Sequence, residues 1–196
     1  MTQLIQYASL HPAPWKNGGG STTEIAIAPK GAGLDDFDWR ISLATISQSG
    51  PFSVFAGIDR TLALVDGGGV LLDFGGENFV LGENDPVIEF PGEAAVHATV
   101  TDGVTTDFNV MTRRSRCRHR LEPRIVRGVD ELRRRSATTL LFLADGESLT
   151  VSSASERIAL VRYDAVVLTA GDVWTLEASM ATVFVVDIVN LPAERE

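Results

Sequence analysis

Apolar and polar residues alternate with a period of two along most of this chain. The runs TTEIAIA, WRISLAT, RTLALV, TDFNVMT, LLFLA, ESLTVSS, RIALVRY and ATVFVVDIV are short and rich in Val, Ile, Leu, Phe and Thr. That alternation puts successive side chains on opposite faces and predicts strands. Between them stand PKGAGLDDFD, SQSGPFSVFAG, VDGGG, GENDP and FPGE, whose Gly, Asp, Asn and Pro residues supply the positive and fixed φ values that turns require. Only GVDELRRRS, Gly128 to Ser136, is predicted as a short helix, with acidic residues near its start and arginines near its end, as the helix dipole favours. The chain is predicted to be all-β.

A self-comparison divides it in two. LALVDG at Leu62 to Gly67 recurs as LFLADG at Leu141 to Gly146, and VLGEND at Val80 to Asp85 corresponds to VLTAGD at Val167 to Asp172, at offsets of 79 and then 87. Each half offers a strand ending in Asp-Gly, a further strand and a turn ending in Asp, the makings of a small double-sheet barrel. The expected fold is two fused cupin-like barrels in one chain, a bicupin of the double-stranded β-helix or jelly-roll type. The expected domains are residues 1–118 and 119–196, intimately packed with strand exchange.

Length and composition agree with a globular protein. A chain of 196 residues, 44% hydrophobic with 18 Gly and 8 Pro, can bury a real core and lacks the low hydrophobicity of a disordered segment. The start, MTQLIQYASL, has neither the basic residues nor the apolar stretch of a signal peptide, and no run reaches membrane-helix length. The expected location is the cytoplasm. The single cysteine, Cys117, excludes an internal disulfide, and His11, His97 and His119 are too scattered for a Cys/His metal set.

Charge is uneven. The formal net charge is −9, yet Arg113 to Arg135 holds ten arginines against Glu122, Asp130 and Glu131, about +7, leaving about −16 for the rest. The stretch RRSRCRHR reads either as an anion or nucleic-acid patch or as a solvated connector pairing with the protein's own acids. The second reading is favoured, because an acidic body repels a polyphosphate. Cys117 among these arginines invites a lowered thiol pKa, although lone cysteines are usually inert.

Candidate chemistry begins at PWKNGGGSTTEIAIA, Pro14 to Ala28. A phosphate-binding P-loop places its Lys after the glycines and before a helix; here Lys16 precedes them and a strand follows, so that reading fails. The glycines either turn the chain plainly, or let backbone approach a ligand with N–H groups of Gly18 and Gly19 free to donate, framed by Lys16 and Asn17. The residues alone leave both open.

The strands carry more information. In TTEIAIA, Thr23, Ile25 and Ile27 share one face, while Glu24 stands among Thr22, Ala26 and Ala28. In DWRISLAT, Trp39, Ile41 and Leu43 oppose Arg40, Ser42 and Ala44. Small residues beside an ionisable one suit a cavity wall. In TDFNVMTRR, Asp107, Asn109 and Met111 share a face; Asp and Asn are poor strand formers, so side-chain hydrogen bonding is expected to outweigh propensity there, unless this is a solvated edge strand. Arg60 in GIDRTLALV offers a planar fork for a carboxylate, or an ordinary surface ion pair. No nucleophile elbow or Cys-His pair is present.

PWKNGGGSTTEIA, DWRISLATISQSGPFSVFAGIDR and TTDFNVMTRR closely resemble the HutD family, accessory proteins of bacterial histidine utilisation related to the Ves proteins. The resemblance runs from about Pro14 to Arg114 and more loosely beyond; RRRSATTLLFLADGESL matches no motif. It implies a cytoplasmic two-cupin protein whose pocket binds an acidic intermediate of histidine breakdown, formylglutamate or urocanate, to sense or limit pathway flux. Enzymatic activity is not an established trait of the family. The two close His, a Glu and a later His with which cupins hold metal are missing here, since VLLDFGGENFVLGEND has no histidine and His97 stands alone.

The expectation is therefore a binding protein with neither metal nor cofactor and no assigned catalytic residue. Its ligand-binding candidates are Lys16, Asn17, Gly18, Gly19, Glu24, Arg40, Arg60, Asp107, Asn109 and Met111. The expected partner is a small acidic metabolite, with no nucleic acid and no membrane; a homodimer is left open. The rival readings are a metal-independent isomerase or hydrolase using Glu24 or Asp107 as general base, and a nucleic-acid or partner-docking protein acting through Arg113 to Arg120.

Overall fold

The computed structural model describes residues 2–84, 86–168, 171 and 173–192. Among these, seventeen strands follow one another. The first eleven are β1 (Gln3–Ile5), β2 (Pro12–Pro14), β3 (Gly20–Ala28), β4 (Trp39–Ile46), β5 (Gly50–Pro51), β6 (Ile58–Asp66), β7 (Val70–Asp73), β8 (Asn78–Leu81), β9 (Val87–Pro91), β10 (His97–Val100) and β11 (Thr105–Arg113). The remainder are β12 (Cys117–Arg133), β13 (Thr138–Asp145), β14 (Ser148–Ser152), β15 (Arg157–Val161), β16 (Ala165–Leu168) and β17 (Val173–Asn190). A single 3₁₀ turn, Tyr7–Ser9, is the helical element among the described residues. The all-β expectation holds.

The chain falls into two compact units. The unit built on His11–Arg118 has a six-stranded sheet in the order β2-β3-β4-β11-β6-β9 and a four-stranded sheet β5-β10-β7-β8. Leu62, Val70, Leu72, Leu81, Phe90 and Val96 form an apolar cluster within it.

The other unit, on His119–Asn190, is one seven-stranded sheet, β1-β16-β13-β17-β14-β15 with β12 paired to β17. Residues 2–10 belong to this unit rather than to the segment that follows them, because β1 pairs with β16 through Gln3, Leu4 and Ile5. Its interior is hydrocarbon: Leu141, Leu143, Val151, Leu160, Trp174 and Val185 are all buried together.

The repeated LALVDG and LFLADG segments occupy matching places, the ends of β6 and β13. Each closes in an Asp-Gly turn whose glycine holds a positive φ, 93° at Gly67 and 119° at Gly146. Of the second repeated pair, Asp85, Thr169, Ala170 and Asp172 lie outside the described residues.

The predicted helix Gly128 to Ser136 is not formed. Residues 128–133 instead complete β12, with Val126 and Leu132 buried and the residues between them mostly turned outward. β12 pairs with β17, and the helical signal over residues 128–133 is weak because Gly and β-branched Val129 are poor helix formers.

Candidate functional site

Strand register assembles the site. β11 lies between β4 and β6, and residues directly opposite one another share a face. Asp107 is flanked by Ala44 and Leu64, Asn109 by Ser42 and Leu62, and Met111 by Arg40 and Arg60. The face so formed lines a hollow of about 600 Å³, within the range of small-molecule pockets. Lys16, Asn17, Arg40, Arg60, Asp107, Asn109 and Met111 all reach it.

Arg60 is 7% exposed. Its guanidinium carbon sits 5.1 Å from the ring centre of Phe90, 5.4 Å from that of Phe52 and 5.7 Å from that of Phe55, close enough for cation–π attraction to each. Phe90 is its direct neighbour on β9. Phe52 and Phe55 come from the loop after β5, which is pinned by backbone bonds from Phe52 N–H to Val96 O and from Phe55 N–H to Gly92 O. Arg60 Nη1 donates only a long 3.5 Å bond, to Ser53 O, and no carboxylate pairs with it among the described residues. Burial, and then the repulsion of Arg40, draw its pKa down to about 10, which leaves it cationic at neutral pH.

Asp107 is fully buried, and burial pushes its carboxyl up to about 7. Among the described residues seven buried side-chain polar atoms have no hydrogen-bond partner in the protein, and five of them belong to Ser42, Arg60, Asp107 and Asn109. Native interiors rarely leave such atoms unpaired. These five share the face formed by β4, β11 and β6.

The opening loop is a hairpin. Trp15 N–H donates to Gly20 O, and the Trp15 indole N–H donates to Thr22 Oγ1 at 2.8 Å, so Trp15 also lines the hollow. The Gly18 N–H bonds Trp15 O, and the Gly19 N–H bonds Asn17 Oδ1 at 3.0 Å. Both donors are therefore taken up inside the turn, and neither glycine reaches the hollow. Gly18 supplies the left-handed φ of 72°, and Gly20 lets the strand pass where a side chain would collide with Thr45 O and the Trp15 ring. The glycines turn the corner; Trp15, Lys16 and Asn17, carried on it, reach the hollow.

Glu24 stands apart. Its Oε2 accepts a 2.9 Å bond from Arg40 Nε with its side chain 44% exposed, so it orients Arg40 rather than lining the wall. A β-bulge between Glu24 and Ala26 shifts the register by one. This also corrects the expected grouping of Ile27 with Thr23 and Ile25. Beyond the bulge Ile27 lies opposite Arg40 and packs against the cluster of Phe37, Ile58 and Met111.

Sequence reasoning had no signal for the phenyl rings around Arg60, because Phe52 and Phe55 sit in a turn-rich segment and Phe90 just before Pro91.

The arginine-rich stretch pairs with the protein's own groups. Arg114 bonds Asp59 and Glu93, which holds Glu93 down at about 2. Arg116 bonds Asp38. Arg120, Arg124 and Arg135 converge on Glu122, whose carboxyl is held below its usual range chiefly by Arg124. The Cys117 thiol is not lowered; burial pushes it up to about 11, and it donates to Asp38 O. His97 is exposed on β10, and no group of three His, Cys, Asp or Glu gathers among the described residues.

The HutD family model matches residues 7–185. An uncharacterised 21.2 kDa protein encoded in the hutC 3′ region of Pseudomonas putida is 35% identical over 175 residues, covering 87% of this chain and 88% of that one. The crystal structure of a conserved protein of unknown function from Pseudomonas aeruginosa PAO1 superposes with a TM-score of 0.89 at 33% identity, over 96% of this chain and 99% of that one. HutD from Pseudomonas fluorescens SBW25, in a formate condition, gives 0.83 at 28%, over 98% and 100%. Structures of cupin fold, such as a salicylate 1,2-dioxygenase from Pseudoaminobacter salicylatoxidans, align at 10% identity with a TM-score of 0.63 over 95% of this chain and 81% of that one, a likeness of fold alone.

Proposed function

This chain belongs to the HutD family, associated with histidine utilisation, and on that footing we propose that it is a metal-free binding protein for a small carboxylic acid of that pathway. One observation carries the reading. A buried guanidinium without a carboxylate partner, boxed by three phenyl rings, faces a hollow of about 600 Å³. Buried charge is costly unless paired, and an anionic ligand supplies the missing partner. Arg40 and Lys16 add positive charge to the same wall, while Asn109 orients polar groups. Formylglutamate and urocanate are the ligands that family membership favours, with sensing or limiting of pathway flux as the role. In this reading the two units are two fused cupin-like barrels, of which the one built on His11–Arg118 carries the site and the hydrocarbon-filled one does not.

A thermal-shift screen of histidine-pathway acids tests this. Ligand at 100 times its Kd adds roughly 2.7 kcal/mol, or roughly 5–10 °C for a chain of this size. Arg60→Ala is expected to abolish the shift; a variant that responds like wild type refutes the carboxylate assignment.

A second reading, a metal-independent isomerase or hydrolase, is favoured by one feature. Asp107, pushed up to about 7 inside the hollow, has the affinity of a general base poised at neutral pH. Turnover of a bound acid that disappears in Asp107→Asn would establish it. Glu24 is the weaker base candidate, being exposed and tied to Arg40.

A further inference from the structure

The wall of the hollow changes character along β11. At one end Met111 lies between Arg40 and Arg60, two cations. Four residues away, roughly 13 Å of strand, Asp107 lies between Ala44 and Leu64, neither of which offers a polar side chain. Both Asp107 carboxyl oxygens and the Asn109 carbonyl oxygen are buried without a partner in the protein; the amide oxygen accepts, and in either protonation state of Asp107 at least one of its oxygens accepts as well.

The charged groups facing the hollow are Lys16, Arg40 and Arg60. Lys16 is on the exposed loop, Arg40 is bonded to Glu24 and Arg60 is held among its rings. None of them pairs with Asp107.

We propose that the hollow reads the two ends of one ligand separately, taking an anionic group at Arg60 and Arg40 and a nitrogen-borne hydrogen-bond donor at Asp107 with Asn109. This rests on the reading of the hollow as an acid-binding site and adds the second half of the ligand's chemistry. The class is a small, extended acid with an N–H on the side opposite its carboxylate. A bare carboxylate at that end would bring a second acid against Asp107, and a hydrocarbon end would leave the carboxyl and amide acceptors unpaired. Discrimination should be steep, because a site built to hydrogen-bond a group rejects the analogue lacking it by leaving its own buried atoms without a partner.

The test uses two pairs of probes that keep the carboxylates and lose the N–H, the first matched in ring shape and the second differing by a methyl group: imidazole-4-acrylate with furan-3-acrylate, and N-formylglutamate with N-formyl-N-methylglutamate. Dissociation constants are measured by calorimetry on the full chain. In at least one pair the N–H member is expected to bind at least tenfold more tightly, with the ratio collapsing toward one in Asp107→Ala, which removes the acceptor oxygens. Asp107→Leu, which fills the space of the carboxyl without an acceptor, serves if the first variant does not fold. Equal binding within both pairs overturns the proposal, as does a ratio that survives loss of the carboxyl; either result leaves the acid-binding reading standing. If no probe binds wild type at all, both fall together.

Discussion

Asp107→Asn separates a desolvated carboxyl from a wet one by the shape of a stability profile. Burial raises the Asp107 pKa from 3.8 to about 7, a little over three units, and each unit corresponds to about 1.4 kcal/mol. Between these values the unfolded chain has released its proton while the folded chain keeps it, so stability falls as pH rises through that window. Below about pH 4 the carboxyl imposes no such cost, and above about pH 7 the full cost, roughly 4 kcal/mol, is present. Asparagine has the same shape and no charge. It leaves an unpaired amide, but that penalty is independent of pH and cancels from the comparison. Urea denaturation of both proteins without ligand at pH 5.5, 6.5, 7.5 and 8.5 should show the variant gaining on wild type by about 2 kcal/mol between pH 5.5 and 7.5 and then levelling off. Parallel profiles would refute the reasoning, since they would mean that the carboxyl is as well solvated in the fold as in the unfolded chain.

Gly20→Ala should lower stability by about 1–3 kcal/mol, read as a shifted urea midpoint, because its methyl group meets Thr45 O and the Trp15 ring. Glu93→Gln should flatten the acid limb of the stability profile: the native carboxyl is held at about 2 by Arg114 and the Gly57 N–H, so its contribution is present above about pH 4.5 and is lost as pH falls toward 2, and the glutamine has none to lose. The arginines from Arg113 to Arg135 should give no salt-steep binding to single- or double-stranded nucleic acid in a fluorescence titration at 50 and 200 mM salt, because Asp38, Asp59, Glu93 and Glu122 already neutralise many of them. Affinity falling by several powers of ten over that range would contradict this.

Much of the site's wall could be read before any fold was known. Asp107, Asn109 and Met111 are spaced two apart, and the same is true of Arg40, Ser42 and Ala44, so period-two alternation alone puts each trio on one face. The departures have local causes. Counting in twos groups Ile27 with Thr23 and Ile25, and a single extra residue in the bulge between Glu24 and Ala26 reverses the phase beyond it; Glu24, ahead of the bulge, is instead drawn to Arg40 and left exposed. Gly18 and Gly19 looked like donors toward a ligand, but their N–H groups close the hairpin that carries Lys16. Gly128 to Ser136 carries charges in helical order, yet residues 128–133 continue β12, in which Val126 and Leu132 are the buried positions.

By itself the sequence determined which residues alternate, where turns interrupt them and which side chains could share a face, because these depend on the geometry of one strand and its immediate neighbours along the chain. Only the tertiary structure decided that β4 and β6 flank β11, so that Arg40 and Arg60 meet beside Met111, and that Phe52, Phe55 and Phe90 close around Arg60. Which strands lie side by side is set by pairing between residues tens of positions apart, through hydrogen bonds that every backbone offers alike. The choice among partners is made by burial of the whole core, and no local window of sequence contains it.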